Sequence, residues 1–178
     1  MVTIGSNPIP SDFVGQMLAL EREIRGGILN AAILVERTLD LIIANHFWQP
    51  RSERWWQLYN LVLASGNLTF QRKEEIVLEL LRNCYPGELK KYPTVKNELE
   101  QVRKNRNTVA HSETGMSQGF ATGNPPDHIT IVVYRGGKQT FRKLTRDEAA
   151  RMEKEAKQVF HELVEVAQTV ARTWSTSA

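Results

Sequence analysis

The sequence predicts a mainly all-α protein, an up-and-down bundle of four to five helices with one small β-hairpin at about 129–144 before the C-terminal helix. Apolar residues recur at intervals of three and four over most of the chain, which is the spacing of a single helix face. Two segments of strand-forming residues, one on each side of a Gly-Gly pair, predict the hairpin. With 178 residues, 41% of them hydrophobic, the chain is expected to form one domain, 1–178, with flexible ends at 1–10 and 175–178.

Residues that begin or end helices bound the first three helices. The first should run from Ser11 to Phe47, because Ser11 can cap its start and Pro50 lies just past its end. The second is expected at 53–64 and the third at 71–83, because glycine or proline follows each of them.

Two further helices flank the hairpin. The fourth is expected at 94–111, and the fifth begins at a capping box formed by Thr145 and Glu148. The segment 112–127 between the fourth helix and the hairpin is rich in glycine and proline, so we expect a mobile loop. The inward side chains of the last helix should be Met152, Ala156, Val159, Leu163, Val166 and Val170.

Composition excludes several classes of protein. The single cysteine, Cys84, excludes an internal disulfide and is typical of a reducing compartment. No leader is apparent at the N-terminus, and the most apolar run, 28–47, contains charged residues, so we expect no membrane span and a cytoplasmic protein. The histidines show no paired spacing, so neither a metal site nor a cofactor is expected. The net charge of +3 does not by itself indicate a nucleic-acid binder.

The most informative segment lies at the end of the fourth helix, where Arg106, Asn107 and His111 occur within six residues. Arg106 falls on the face of that helix that is otherwise apolar and is expected to point inward. A guanidinium in such a place must pair with a carboxylate, line a wet cleft or lie at a subunit interface. The structural interpretation is an ion pair with Glu36 or Asp40, the acids of the apolar part of the first helix. In the functional interpretation, these acids still pair with Arg106 and hold it in position, while its guanidinium faces a phosphate.

These residue types suit chemistry on RNA. Histidine can take the proton from a 2′-hydroxyl, while arginine and asparagine neutralise and orient the phosphate. Arg106 lies about 140° around the helix from His111, so they meet only if the arginine reaches across, the helix unwinds, or a second copy packs across a two-fold axis. Taken alone, His111 could simply be a helix-end histidine that interacts favourably with the negative C-terminal end of the helix dipole.

Basic residues near this segment predict a phosphate-binding surface. Arg103 and Lys104 precede Arg106 with no acid among them, and the hairpin region is also basic. The alternative is two ordinary solvated faces.

The segment R-N-x-x-A-H-S at 106–112 resembles the motif of the HEPN superfamily, small all-α domains marked by Arg, four to six residues, then His, with a polar residue after the Arg. The segment 25–36, followed by Leu39 and Phe47, resembles the first conserved helix of the mannitol-operon-repressor-like branch. The segment 68–76 is similar to a connecting segment of such domains. One sub-branch has Tyr two residues after the His, where this chain has Glu113.

The resemblance implies a homodimer that brings two Arg–His motifs to one cleft. Many members are metal-independent endoribonucleases of toxin–antitoxin, phage-defence or RNA-processing systems, which leave a 2′,3′-cyclic phosphate. By this resemblance Arg106 would bind the phosphate, Asn107 would orient it and His111 would act on the 2′-hydroxyl. The implied partners are RNA and an antitoxin or regulatory protein. The alternative functions are a non-catalytic regulator or interaction module, as in transcriptional regulation by the mannitol-repressor-like branch, and a purely structural bundle.

Overall fold

The computed structural model describes residues 11–115 and 127–175. The expected flexible end at 1–10, residues 176–178 of the expected flexible end at 175–178, and residues 116–126 of the expected loop lie outside this range. The described chain forms, in order, α1 Ser11–Phe47, α2 Glu53–Leu58, a π-helical turn Tyr59–Leu63, α3 Phe70–Asn83, α4 Pro86–Lys91, α5 Val95–His111, β1 Glu113–Gly115, β2 His128–Arg135, β3 Lys138–Thr145 and α6 Arg146–Arg172. The mainly helical architecture and the hairpin before the last helix are confirmed.

Contacts between helices give their directions. α1 and α6 run parallel, because Arg146 lies 3.2 Å from Glu23 near their starts and Trp174 donates to the Asn45 carbonyl near their ends. α5 runs in the opposite direction, because its last turn lies beside Arg25 in the first half of α1. Helices α3 and α6 are therefore parallel to α1, whereas α2 and α5 are antiparallel to it.

Two apolar clusters hold these elements together. The larger one joins the second half of α1 to α2, α3, α5 and α6. The smaller one lies under the hairpin, where Ile129, Ile131 and Leu144 pack on the first half of α1 and on Val109 of α5. All six inward positions expected for the last helix are buried. The smaller cluster fixes the hairpin beside the C-terminal end of α5, where the Arg–His segment lies.

Local sequence explains the hairpin and the start of α6. Gly136 and Gly137 have φ values of +55° and +75°, which side chains with a Cβ rarely adopt and which a two-residue hairpin turn requires. The Thr145 hydroxyl accepts a hydrogen bond from the Glu148 backbone N–H at 3.2 Å and so caps α6.

Three features differ from the sequence prediction. The expected second helix changes to a π-helical turn at Tyr59, and Pro86, expected to close α3, instead begins the short helix α4. The start of the expected loop forms strand β1, which pairs antiparallel with β2. No helix of the described residues has the length and apolar character needed to cross a membrane.

A cavity of about 390 Å³ lies between α5 and α6 and contains a carboxylate in an unfavourable position. Glu98 lines this cavity, and its Oε2 atom is buried without a hydrogen-bond partner. Burial and the nearby Glu162 carboxylate raise the pKa of Glu98 above its ordinary value of 4.5. The folded state therefore holds this proton more tightly than the unfolded state does. The ionised form destabilises the fold above the raised pKa, and this penalty disappears as the pH falls below 4.5.

We predict that Glu98→Gln raises the Tm at pH 7, on the scale of about 2–4 °C for each kcal/mol gained by a chain of this size. The gain should vanish near pH 4, where the wild-type carboxyl is also neutral. Glu100→Gln is the matched control on the same helix. Lys104 lowers the pKa of Glu100, so its replacement should not stabilise the protein at pH 7. Thermal melts at the two pH values check this, and equal shifts for both variants would contradict it.

Candidate active site

The buried face of α5 differs at one position from the inward face that the sequence predicts. Val102 and Val109 are buried as expected, but the inward residue between them is Asn105. Arg106, expected in the middle of this face, is half-buried at its edge, and Asn107 and His111 are exposed. Asn105 fits the interior because its amide oxygen accepts a hydrogen bond from Gln101 Nε2 at 2.9 Å. Asn105 thus takes the inward position, and the guanidinium of Arg106 lies at the boundary between core and solvent.

Arg106, Asn107 and His111 line one cavity of about 450 Å³. Its other walls are Glu36 of α1, Arg103 of α5 and the segment 66–71 that leads into α3. Arg106 Nη1 donates to Asn107 Oδ1 at 3.1 Å, which orients both side chains. α5 remains helical to His111, so the helix does not unwind between the two positions, and both side chains reach the same cavity from the intact helix. One copy of the chain thus brings the expected residues together.

The ion pair expected between Arg106 and Glu36 or Asp40 is not what the structure contains. Both carboxylates bind Lys73 of α3: its Nζ lies 3.0 Å from Glu36 Oε1 and 2.9 Å from Asp40 Oδ1. The side chains of Lys73 and Asp40 are each 3% exposed. Glu36 and Asp40 are therefore not paired with Arg106, although Glu36 lines the same cavity. Since Glu36 and Asp40 bind Lys73, the guanidinium of Arg106 faces the cavity with none of the described acids bound to it.

Burial and the lysine act on Asp40 in opposite senses. Burial raises the pKa of Asp40, and the hydrogen bond and charge of Lys73 offset part of this rise. The buried carboxylate thus depends on Lys73 to remain ionised, and the ion pair ties α3 to α1 behind the cavity.

Arg25 holds the end of α5 in place. Its guanidinium donates to the carbonyl oxygens of Val109 and Ser112, the second at 3.0 Å. The last carbonyls of a helix have no partner within the helix, and a cation there also favours the helix dipole. Arg25 thereby anchors the turn that carries His111. No role was expected for Arg25 from the sequence, because it lies among other charged residues, Glu21, Arg22 and Glu23, and has no distinguishing local signal.

The two basic residues expected to bind RNA differ in their surroundings. Arg103 lines the cavity, and its Nε lies 2.8 Å from Glu74 Oε2. Lys104 is exposed and pairs with Glu100 one turn earlier at 2.6 Å. Arg103 is therefore fixed at the cavity wall, whereas Lys104 lies in an ordinary surface ion pair.

A second, smaller cavity of about 230 Å³ adjoins the same end of α5. Asn107, Thr108 and His111 line it together with Val133 and Tyr134 of β2. His111 and Asn107 thus lie between two concave surfaces, one formed with α3 and one with the hairpin.

Comparison of the chain with protein-family models, curated proteins and solved structures found no match. The resemblance to the HEPN superfamily therefore rests on the residues of the motif itself. Among the described residues, no group of three or more His, Cys, Asp or Glu side chains could hold a metal ion.

We predict that Lys73→Met lowers the free energy of unfolding by about 3–5 kcal/mol, because it leaves the buried carboxylate of Asp40 without its partner. The control is Lys91→Met, whose lysine pairs with Glu165 at 2.6 Å but on the surface. That change should leave the free energy of unfolding almost unchanged, because solvent screens the exposed pair. Urea unfolding of both variants measures the difference. Equal losses would show that the Lys73 cluster has no special structural role.

Proposed function

We propose that this chain is a metal-independent endoribonuclease of HEPN type that cuts RNA by attack of a 2′-hydroxyl on the adjacent phosphate. The observation that carries the proposal is that Arg106, Asn107 and His111 line one open cavity while Glu36 and Asp40 are bound by Lys73 and not by Arg106. A guanidinium that faces solvent without an acid partner is suited to hold a phosphate.

Each side chain has a role in the proposed reaction. The His111 imidazole takes the proton from the 2′-hydroxyl, and the 2′ oxygen forms a bond to phosphorus. Arg106 and Asn107 bind the non-bridging oxygens, on which negative charge grows. The bond from phosphorus to the 5′ oxygen breaks, and that oxygen takes a proton from water or from His111 of a second copy. The products carry a 2′,3′-cyclic phosphate and a 5′-hydroxyl.

We predict that purified protein cleaves single-stranded RNA in EDTA and that His111→Ala lowers the rate about 10²–10⁴-fold, the usual contribution of a general base. Arg106→Ala should lower it about 10²–10³-fold, by analogy with loss of one donor to a developing oxyanion. The control is His161→Ala, because His161 is exposed on α6 and lines neither cavity at the end of α5.

Single-turnover assays with end-labelled RNA measure these rates, and ³¹P NMR identifies the cyclic phosphate. Cleavage that is lost in EDTA, or that survives His111→Ala unchanged, would contradict the proposal.

The proposal includes a homodimer. Ile33 and Leu34 of α1 are exposed, and Ile33 lies one helical turn from Glu36 at the cavity wall. Leu61 and Val62 of the π-helical turn are also exposed, 69% and 41%, a few residues before the segment that lines the cavity. An apolar rim beside a polar cavity supports association of a second copy at this edge.

We predict that the wild-type protein sediments as a dimer and that Ile33→Glu shifts it to monomer, because the new charge would be buried in the interface. Cleavage should fall together with dimerisation. Analytical ultracentrifugation and the RNA assay on the same samples check this. A wild-type protein that cleaves RNA while wholly monomeric would contradict the dimer.

A second candidate function is a non-catalytic regulator of the same fold, acting through RNA or a partner protein. The observation that favours it is the single imidazole among the described residues of the cavity. Glu36, the one carboxylate among those residues, is held by Lys73, so the described part of one copy offers no second acid to protonate the leaving oxygen. This candidate predicts that wild-type protein and His111→Ala bind RNA equally and that neither cleaves it at any protein concentration.

A further inference from the structure

The small sheet brings an exposed aromatic side chain to the candidate catalytic histidine. Glu113 of β1 pairs with Val132 of β2, in antiparallel register. His111 ends α5 two residues before β1, and its side chain lines the smaller cavity together with Tyr134 of β2. The hairpin therefore extends the site beyond α5.

The outer face of the hairpin carries further groups. Side chains alternate between the two faces of a strand. Ile129 and Ile131 point into the core, so Val132 and Tyr134 belong to the outer face together with Phe141, which pairs with Val132. Tyr134 is 56% exposed and Phe141 is 67% exposed. Lys143, two residues along β3, shares this face and is also exposed.

Tyr134 lines the smaller cavity beside His111, and Phe141 lies farther along the same face of the hairpin. Exposed rings in such a place are suited to bases of single-stranded RNA, because every base offers a flat face for stacking. We propose that Tyr134 and Phe141 form a base-stacking subsite for the nucleotide next to the phosphate held by Arg106. This inference rests on the proposed function for the identity of its ligand, but it concerns binding and not cleavage.

The charges on this face favour a base over a phosphate at the rings themselves. Glu113 lies on the same face, and its Oε2 accepts a long hydrogen bond of 3.5 Å from the Tyr134 hydroxyl. A carboxylate there repels phosphate, whereas the ring faces remain open to a neutral base. Lys143 at the far end of the face provides a cation for the next part of the backbone.

The test is made with His111→Ala as host, so that binding is measured without cleavage. The probe is a fluorescein-labelled single-stranded RNA of about ten nucleotides, within the usual site size of such surfaces. Adding Tyr134→Ala or Phe141→Ala should weaken binding about 5- to 100-fold, since stacking contributes ~1–3 kcal/mol per base. Tyr134→Phe keeps the ring and should retain affinity. Phe47→Ala, an exposed ring at the far end of α1, is the control that should leave binding unchanged.

A second probe separates base from backbone. Replacement of one nucleotide by an abasic residue should weaken binding to the host protein and have no further effect on the Tyr134→Ala variant.

The outcomes separate this inference from the proposed function. If wild-type protein does not cleave but Tyr134→Ala loses affinity, the subsite stands and the catalytic proposal fails. If wild-type protein cleaves and the alanine variants bind as tightly as the host, the subsite is overturned and the catalytic proposal stands. The subsite is also overturned if the host binds no RNA, or if Tyr134→Ala changes only the oligomeric state, which would make this face a contact between copies.

Discussion

The ion cluster of Lys73 with Glu36 and Asp40 is the interaction on which the arrangement of the site depends. Two acids on the inward side of one helix need a cation, and the bundle has two candidates, Lys73 of α3 and Arg106 of α5. Because α3 supplies the cation, the guanidinium of α5 does not have to. A bundle in which Arg106 bound these carboxylates would have a similar core and no cationic cavity. Both acids are thus held by one basic residue, Lys73, and the other, Arg106, is left at the edge of the core.

A second constraint is the position of His111 at a helix terminus. The carbonyl groups of that terminus need donors, and Arg25 provides them from the first helix. Beyond the terminus the chain enters β1, so the hairpin is tied to the same point. The backbone at the histidine is therefore held in two ways. α1 binds the carbonyl groups at the end of α5, and the strand that follows is paired within the sheet. This explains how an exposed side chain at a chain junction can have a defined place between two cavities.

The elements with strong local signals could be predicted from the sequence. The long first helix, the Gly136-Gly137 hairpin and the capped last helix each depend on neighbouring residues, and all three form as expected. Pro86 was misjudged because proline both ends one helix and begins the next.

The long-range contacts of the site were beyond sequence reasoning. A spacing of three or four residues allowed either Asn105 or Arg106 at the inward position of α5, and only packing decides between them. The binding of Lys73 by α1 and the capping of α5 by Arg25 join residues more than thirty positions apart, which no local pattern reports.

We propose that the Arg106 guanidinium, which is not part of the Lys73 cluster, binds a phosphate of RNA beside His111. NMR titration with a short single-stranded RNA, blocked against cleavage by 2′-O-methyl groups, measures this most directly. The account predicts that the Arg106 Nε–Hε signal and the His111 imidazole signals shift together and saturate at the same RNA concentration. RNA binding that leaves both sets of signals unmoved would contradict it.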